Sequence, residues 1–276
     1  MVNKEISEFF LREHISALSL LPFSLTTVTN ERLYREKEGF VPRSVLIFLI
    51  PYYVCPTENL SVYAAARDYH LYSSHLYARL CAELSLLFPH GRFYGFTDHS
   101  PIDERDAAAR AGLGVIGKNR LLLSKQYGSY QFIGEILSDL PTEELGASDA
   151  TLPSPCIGCD ACLHACPTGA LRGEGECLSA ITQKKGVLSE EEKALLRRVG
   201  TVWGCDECQK VCPYTKEALF RKTAVTEIPF FREELILRLD RKTLDAMSDD
   251  AFRTRAFAWR GRAVPERNVR IFEKEE

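Results

Sequence analysis

The stretch CIGCDACLHACPTG, residues 156–169, places four cysteines in the spacing C-x2-C-x2-C-x3-C, with proline directly after the last. This is the run that holds cubane iron–sulfur clusters in bacterial ferredoxins. Three thiolates on a tight loop reach three irons of one cubane. The fourth points away along the following turn and ligates the other. A second group at 204–215, GCDECQKVCPYT, gives C-x2-C-x3-C-P, one cysteine short of the full run, and Cys177 is the obvious replacement. The assignment that follows is two 4Fe–4S clusters. The first takes Cys156, Cys159, Cys162 and Cys212; the second takes Cys166, Cys177, Cys205 and Cys208. A structural zinc site fits badly, because zinc takes four ligands in paired C-x2-C knuckles.

The rest of the composition frames this region. The chain has 276 residues and ten cysteines, eight of them between Cys156 and Cys212. Clustered thiols in a long chain without a secretory signal are metal ligands rather than disulfides. Cys55 and Cys81 lie outside the cluster region and read as core packing. With 45% hydrophobic and 26% charged residues, a sizeable core is expected, and a net charge of −3 excludes a general nucleic-acid binder. MVNKEISEFFLREHISALSLLP at the start reads as an amphipathic helix. The longest apolar run, Val45 to Cys55, is broken by Pro51 and is far shorter than the roughly twenty residues a membrane span needs. A soluble, cytoplasmic protein with no membrane contact is the expectation.

In front of the cysteines the pattern is α/β, with an α+β arrangement of the whole. SVLIFLIPYY at 44–53 reads as a buried strand, 59–88 as one long helix or two in succession, and RFYGFTD at 92–98 as a second strand. PIDERDAAARAG has proline first, acids in the first turn and glycine last, the pattern of a short helix. RLLLS and YQFIGEIL, separated by KQYG, suggest a hairpin. Residues 139–155 read as a boundary loop. SEEEKALLRRVG at 189–200 reads as a helix capped by serine, with acids at its start and arginines at its end. These signals divide the chain into an α/β domain at 1–150, a double-cluster domain at 151–216, and a helical, arginine-rich segment at 217–276. Two clusters imply electron transfer, and the preceding domain must bind a cofactor or a partner.

The segment 96–141, FTDHSPIDERDAAARAGLGVIGKNRLLLSKQYGSYQFIGEILSDLP, resembles the epoxyqueuosine reductase family. The likeness is carried by Asp98, Pro101, Glu104, the Ala111-Gly112-Leu113-Gly114 turn, Gly117, Lys118, Gly128-Ser129 and Gly134-Glu135-Ile136. ARDYH at 66–70, the second cysteine group and ERNV near the end are similar to further family segments. The chain departs from the family at Val115, where tryptophan is common, and at Tyr130 and Gln131, where an aromatic pair is common.

The resemblance implies an oxidoreductase. Its α/β domain is like that of reductive dehalogenases and nitroreductases and binds cobalamin beside a ferredoxin-like domain with two 4Fe–4S clusters. Electrons from an external donor such as a flavodoxin or ferredoxin pass through the clusters to the cobalamin. The epoxide oxygen of epoxyqueuosine in the tRNA anticodon loop then leaves as water, giving queuosine. Asp98 matches the family's proton donor and is also a candidate cobalamin contact. On the residues alone it ends a strand where α/β folds present ligand groups, and it also suits a helix cap. A carboxyl raised by burial under an apolar macrocycle can deliver the proton. By the same resemblance Arg67, Leu122, Ser129, Ile133 and Ser179 are candidate cobalamin contacts.

Other residues carry narrower expectations. The glycines of GLGVIGK lack the serine or threonine of a phosphate loop and are expected to let backbone approach a flat cofactor. Glu104 and Asp103 read as partners of the helix dipole. His70 reads as a structural histidine, and His99, beside Asp98, as the better active-site candidate. From Ala251 to Arg270 there are six arginines and one acid, suited to phosphates or to a solvated helix face. Longer family members continue into helical repeats that help hold tRNA. A chain ending at Glu276 is therefore expected to bind tRNA with less surface, to use a partner, or to act on another substrate. Two readings stand beside the tRNA reductase: a cobalamin and iron–sulfur reductase of a small molecule, and an electron carrier without catalysis. Asp98 disfavours the carrier.

Overall fold

The apolar run at 44–51 forms a central strand whose two faces enter two different cores. In the computed structural model, which describes residues 2–148 and 150–273, strand β2, Ser44–Pro51, is buried along its whole length. Leu46, Phe48 and Ile50 face one core with Phe10, Leu76 and Leu80. Val45, Ile47 and Leu49 face the other with Ala107, Ala108 and Ala109. Period-two alternation within a continuous apolar run is what a strand covered on both faces requires.

Strands β1, Leu18–Pro22, and β3, Phe93–Phe96, complete a four-stranded sheet with β6, Gln131–Ser138, in the order β1-β2-β6-β3, all antiparallel. A two-residue ribbon, β4 (Val115–Ile116) and β5 (Leu122–Leu123), stands apart. Two expectations are corrected here. The N-terminal amphipathic segment is helical only over α1, Lys4–Arg12, and its second half is β1. The expected hairpin around KQYG is reduced to a single antiparallel bridge, Ser124 with Gly128: β5 pairs with β4, while β6 pairs with β2 and β3.

Helix α2, Arg32–Arg35, is one turn. Helix α3, Tyr69–Leu87, starts at Asp68, whose carboxylate accepts the His70 N–H at 3.0 Å. Helix α4, Glu104–Arg110, starts at Asp103, which accepts the Arg105 and Asp106 N–H groups. Helix α5, Thr142–Leu145, lies within the boundary loop expected at 139–155. The carboxyl ends of β2 and β3, the start of β6 and the start of α3 all reach the same end of the sheet, which prepares a site there.

The cysteine region is a string of short helices: α6 (Ala161–Ala165), α7 (Leu178–Thr182), α8 (Glu190–Val199), α9 (Glu207–Lys210) and α10 (Pro213–Phe220). Ser189 and Glu192 form a capping box on α8, as its sequence indicates. The region is stitched to the first domain by buried polar contacts. Asp206, between two cysteines, accepts the Ser61 hydroxyl and the Val62 N–H, the latter at 2.7 Å. Gly128 has φ +63°, and a Cβ there would lie 2.4 Å from the Thr215 Cα. Only glycine lets this loop meet α10 and set Ser129 against the Thr215 hydroxyl at 3.0 Å.

The last segment returns over the molecule. Ile228 and Phe231 join the core that holds Phe48. Leu239, Leu244, Phe252, Phe257 and Val264 close a third core on Trp203. Its arginines serve this packing. Arg255 donates to the Glu234 carbonyl, Arg262 to those of Leu244 and Met247, Arg267 to those of Lys184 and Gly186, and Arg253 pairs with Asp250. Three of the six arginines of the expected basic run, Arg255, Arg262 and Arg267, are therefore internal staples, while Arg253 and Arg270 remain exposed. Asn268, of ERNV, is buried and donates to the Thr182 and Val202 carbonyls at 2.7 and 2.8 Å. Among the described residues no helix is long and apolar enough to cross a membrane.

Candidate active site

At the sheet end a cleft of about 650 Å³ is walled by Tyr52, Tyr63, Tyr69, Phe132 and Trp259, with Asp98 and His70 on one side. The Tyr69 ring stacks on Phe132 at 3.9 Å, and Phe132 lies 4.4 Å from Tyr52. The lining also includes Ser179 of α7 and Gln183 at its end, which follow Cys177, and Gln209 of α9, which follows Cys208. The second cysteine group thus supplies part of the cleft wall.

The charged side of the cleft is a small network. The Tyr69 hydroxyl donates to Asp98 Oδ2. His70 Nε2 lies 3.5 Å from the same oxygen, and its Nδ1 lies 2.8 Å from Asp68 Oδ1. Hydrogen bonds to Asp68 and then Asp98 push the His70 imidazole up to about 10. Burial alone would raise Asp98, but the His70 and Tyr69 hydrogen bonds outweigh it and hold the carboxyl below its ordinary value. The raised carboxyl expected at Asp98 is therefore not present in the open cleft, and at neutral pH the proton rests on His70. The assignment of the two histidines is also corrected. His70 faces the cleft, whereas His99 is exposed in the loop and does not line it. Burial first, then Asp98, also keeps the Tyr69 hydroxyl from ionising. Tyr69 and His70 lie in the ARDYH segment, which was the available signal for both.

Three of the residues singled out from sequence line this cleft together: Asp98, Ser129 and Ser179. The other three are placed elsewhere. Arg67 lies over the Phe230 ring at 4.5 Å and pairs with Glu233 at 3.3 Å. Leu122 is buried in β5, and its carbonyl accepts the Gln131 amide at 2.9 Å. Ile133 packs on the core that holds Ile47. The glycine-rich turn is corrected too. Gly112 and Gly114 border a second cleft that also includes Lys125 and Tyr214, not the one with Asp98. A Cβ on Gly114 would lie 2.7 Å from the Leu123 carbonyl oxygen, so this glycine permits the β4–β5 contact rather than approach to a flat ligand. Tyr130 is buried against Tyr53, and Gln131 lines the cleft with its amide tied to Leu122 and Ser124.

Four of the cysteines share one place. Cys156, Cys159, Cys162 and Cys212 line one small cavity with Lys118 and Tyr214. Cys208 is half-buried and lies within electrostatic reach of Cys205, Cys177 and Cys162; partial burial, then those neighbours and Asp206, pushes its thiol up to about 12. Helix α6, which leads into Cys166, packs on α9, which carries Cys208. Burial would raise the Cys166 thiol, but hydrogen bonds from Leu171, Thr168 and Ala170 hold it below its ordinary value. Cys55 and Cys81 are half-buried free thiols away from both groups, and Cys81 packs on the core.

Residues 155–215 match the family model described as a 4Fe–4S double cluster binding domain. The cysteine region is thus that of an iron–sulfur redox protein. An epoxyqueuosine reductase of Listeria monocytogenes is 32% identical, the match covering 95% of this chain and 73% of that one. The chain spans 57% and 43% of the length of two further curated relatives, also epoxyqueuosine reductases. The structure of epoxyqueuosine reductase from Streptococcus thermophilus superposes with a TM-score of 0.74 at 22% identity, over 97% of this chain and 79% of that one. An epoxyqueuosine reductase with an epoxyqueuosine-modified tRNA-Tyr stem loop superposes with a TM-score of 0.70 at 22% identity, over 97% of this chain and 80% of that one. The chain belongs to the epoxyqueuosine reductase family, and it is an oxidoreductase.

Proposed function

We propose that this chain reduces epoxyqueuosine in tRNA to queuosine, with two 4Fe–4S clusters and cobalamin as its cofactors and a flavodoxin- or ferredoxin-type donor as its electron source. One observation carries the reading: the cleft that presents Asp98 is also lined by residues that follow Cys177 and Cys208. Electrons entering the clusters would emerge where the carboxyl waits. Cys156, Cys159, Cys162 and Cys212 would hold one cluster, and Cys166, Cys177, Cys205 and Cys208 the other.

The residues of the cleft fit a corrin. The rings of Tyr52, Tyr69 and Phe132 offer flat apolar contact, and Ser129, Ser179, Gln183 and Gln209 offer hydroxyl and amide partners for its amide arms. Cobalamin, when bound there, supplies a strongly reducing centre able to open an epoxide C–O bond. Asp98 and His70 manage the proton. In the open cleft the two form an ion pair, with the Asp98 side chain 55% exposed. Filling the cleft removes water from this pair, and desolvation favours the neutral forms. The proton then moves from His70 to Asp98, which presents it to the oxygen leaving the ring. Asp68 holds the imidazole from its other nitrogen.

Trp259 marks the cleft mouth. It is 58% exposed and lines both this cleft and an adjoining hollow with Lys184, Lys185 and Arg260. Arg260 stacks on the Trp259 ring at 3.7 Å and Lys184 is held by Glu176 and Glu192; an exposed ring with a stacked guanidinium and Lys185 nearby suits an unstacked base and its phosphates. Trp259→Ala is expected to weaken binding of an epoxyqueuosine-containing stem loop by about 1–3 kcal/mol, measured by titration. Unchanged affinity would place the RNA elsewhere.

The test of the function is anaerobic incubation of the loaded, reduced protein with epoxyqueuosine-containing tRNA and, separately, with the free nucleoside. Nucleosides are then counted by mass spectrometry. Queuosine formed in the tRNA supports the proposal. Reduction of the free nucleoside alone would transfer the activity to small molecules, and reduction of neither would refute it.

A further inference from the structure

Asp98 stands in a backbone conformation that needs support. Its φ is +59°, in the left-handed region, and the His99 N–H closes back on the Thr97 carbonyl at 2.6 Å. A residue with a Cβ is disfavoured there, aspartate less than most, and the conformation is held where its surroundings impose it. Contacts on both sides anchor the loop. The Tyr77 hydroxyl donates to the Phe96 carbonyl at 2.6 Å. The Ser100 hydroxyl donates to the buried carboxyl of Glu135, and its oxygen accepts the Ile102 N–H at 3.0 Å. Neither anchor reaches the Asp98 backbone. That contact comes from Glu104, whose Oε1 accepts the Asp98 N–H at 3.0 Å. The cap of α4 is already supplied by Asp103, so Glu104 is not needed for it.

We propose that Glu104 is a positioning residue: by accepting the Asp98 N–H it fixes the left-handed turn that aims the Asp98 carboxyl into the cleft. The proposal rests on reading Asp98 as the proton-delivering group, but its test does not require turnover.

The surroundings of Glu104 make this contact sensitive to pH. Burial, then the charges of Asp98 and Asp103, push its carboxyl up to about 8, opposed by the Asp98 N–H and by Arg105. Glu135, itself raised by burial, faces it from β6, and Tyr77 lies near both carboxyls from α3. At neutral pH Glu104 keeps its proton and accepts the N–H through its carbonyl oxygen. As pH rises toward and through about 8 it becomes a second negative charge facing Asp98; burial and this repulsion outweigh its stronger acceptance of the N–H, and the turn loosens.

The experiment is hydrogen exchange by mass spectrometry on the cluster-loaded full chain without substrate, read in peptides spanning 96–101. Unchanged iron–sulfur absorbance confirms that each variant is folded. Glu104→Ala is expected to speed exchange of the loop about fivefold, the effect of one hydrogen bond near 1 kcal/mol. Glu104→Gln, a neutral isostere that still accepts, should stay close to the parent. The parent should gain exchange beyond ordinary base catalysis as pH rises from the ordinary carboxyl range to about 8, levelling off above it, and Glu104→Gln should not. In turnover, Glu104→Ala should lower kcat with little change in KM, and glutamine should restore it. Unchanged exchange in Glu104→Ala, or equally fast exchange in both variants, would overturn the assignment. Exchange that follows the pattern supports it even where no tRNA is reduced, so failure of the reductase reading would be separately visible.

Discussion

Asp98→Ala is expected to slow epoxide reduction by about 10²–10⁴-fold, the range contributed by a positioned general acid. Iron content and cobalamin retention should be preserved. Asp98→Asn is the sharper variant. Asparagine tolerates positive φ and can accept from Tyr69, so the loop should keep its shape, but it cannot deliver a carboxyl proton. Equal loss in both variants assigns the effect to the proton rather than to the loop. The pH profile adds a second check. The proton held by the His70–Asp98 pair is lost as pH rises toward the His70 value of about 10, so activity should fall on the alkaline side. His70→Gln removes the proton store and should shift that fall toward lower pH. Full activity in Asp98→Ala would remove this carboxyl from the chemistry.

Cys208→Ser is the second large effect. Cys208 is half-buried and lies near Cys205 and Cys177, one residue from the cleft-lining Gln209. A serine hydroxyl there is a poor cubane ligand. Iron should fall from about eight to about four atoms per chain if each group holds one cubane. Reduction of tRNA should drop to background while the cluster of Cys156, Cys159, Cys162 and Cys212 remains. Retention of all the iron would show that the eight cysteines are divided differently.

The cysteine region was readable because its chemistry is local. C-x2-C-x2-C-x3-C-P encodes ligand geometry within one turn of chain, and three of the thiols in that run share a cavity with Cys212, as the spacing implies. Strand β2 was readable for a similar reason, since an unbroken apolar run must be covered on both faces. The misreadings concern distant partners. Nothing local in KQYG says that β6 joins β2 and β3 instead of folding back on β5. GLGVIGK carries the glycines of a ligand loop, yet Gly114 is small because the Leu123 carbonyl lies against it. His70 looked structural because its partner, Asp98, is brought to it only by the return of β3 beside α3. The arginine-rich tail looked like a phosphate surface because its acceptors are main-chain carbonyls, which leave no trace in a side-chain pattern.

A reductive titration of the reconstituted, cobalamin-loaded chain, followed by absorbance under anaerobic conditions, tests the central claim most directly. If the second cysteine group feeds the Asp98 cleft, bleaching of the iron–sulfur bands should be accompanied by the spectral change of reduced corrin, and Cys208→Ser should abolish the latter. Corrin bands that respond equally in the parent and in Cys208→Ser, or a chain that never retains cobalamin, would contradict the account.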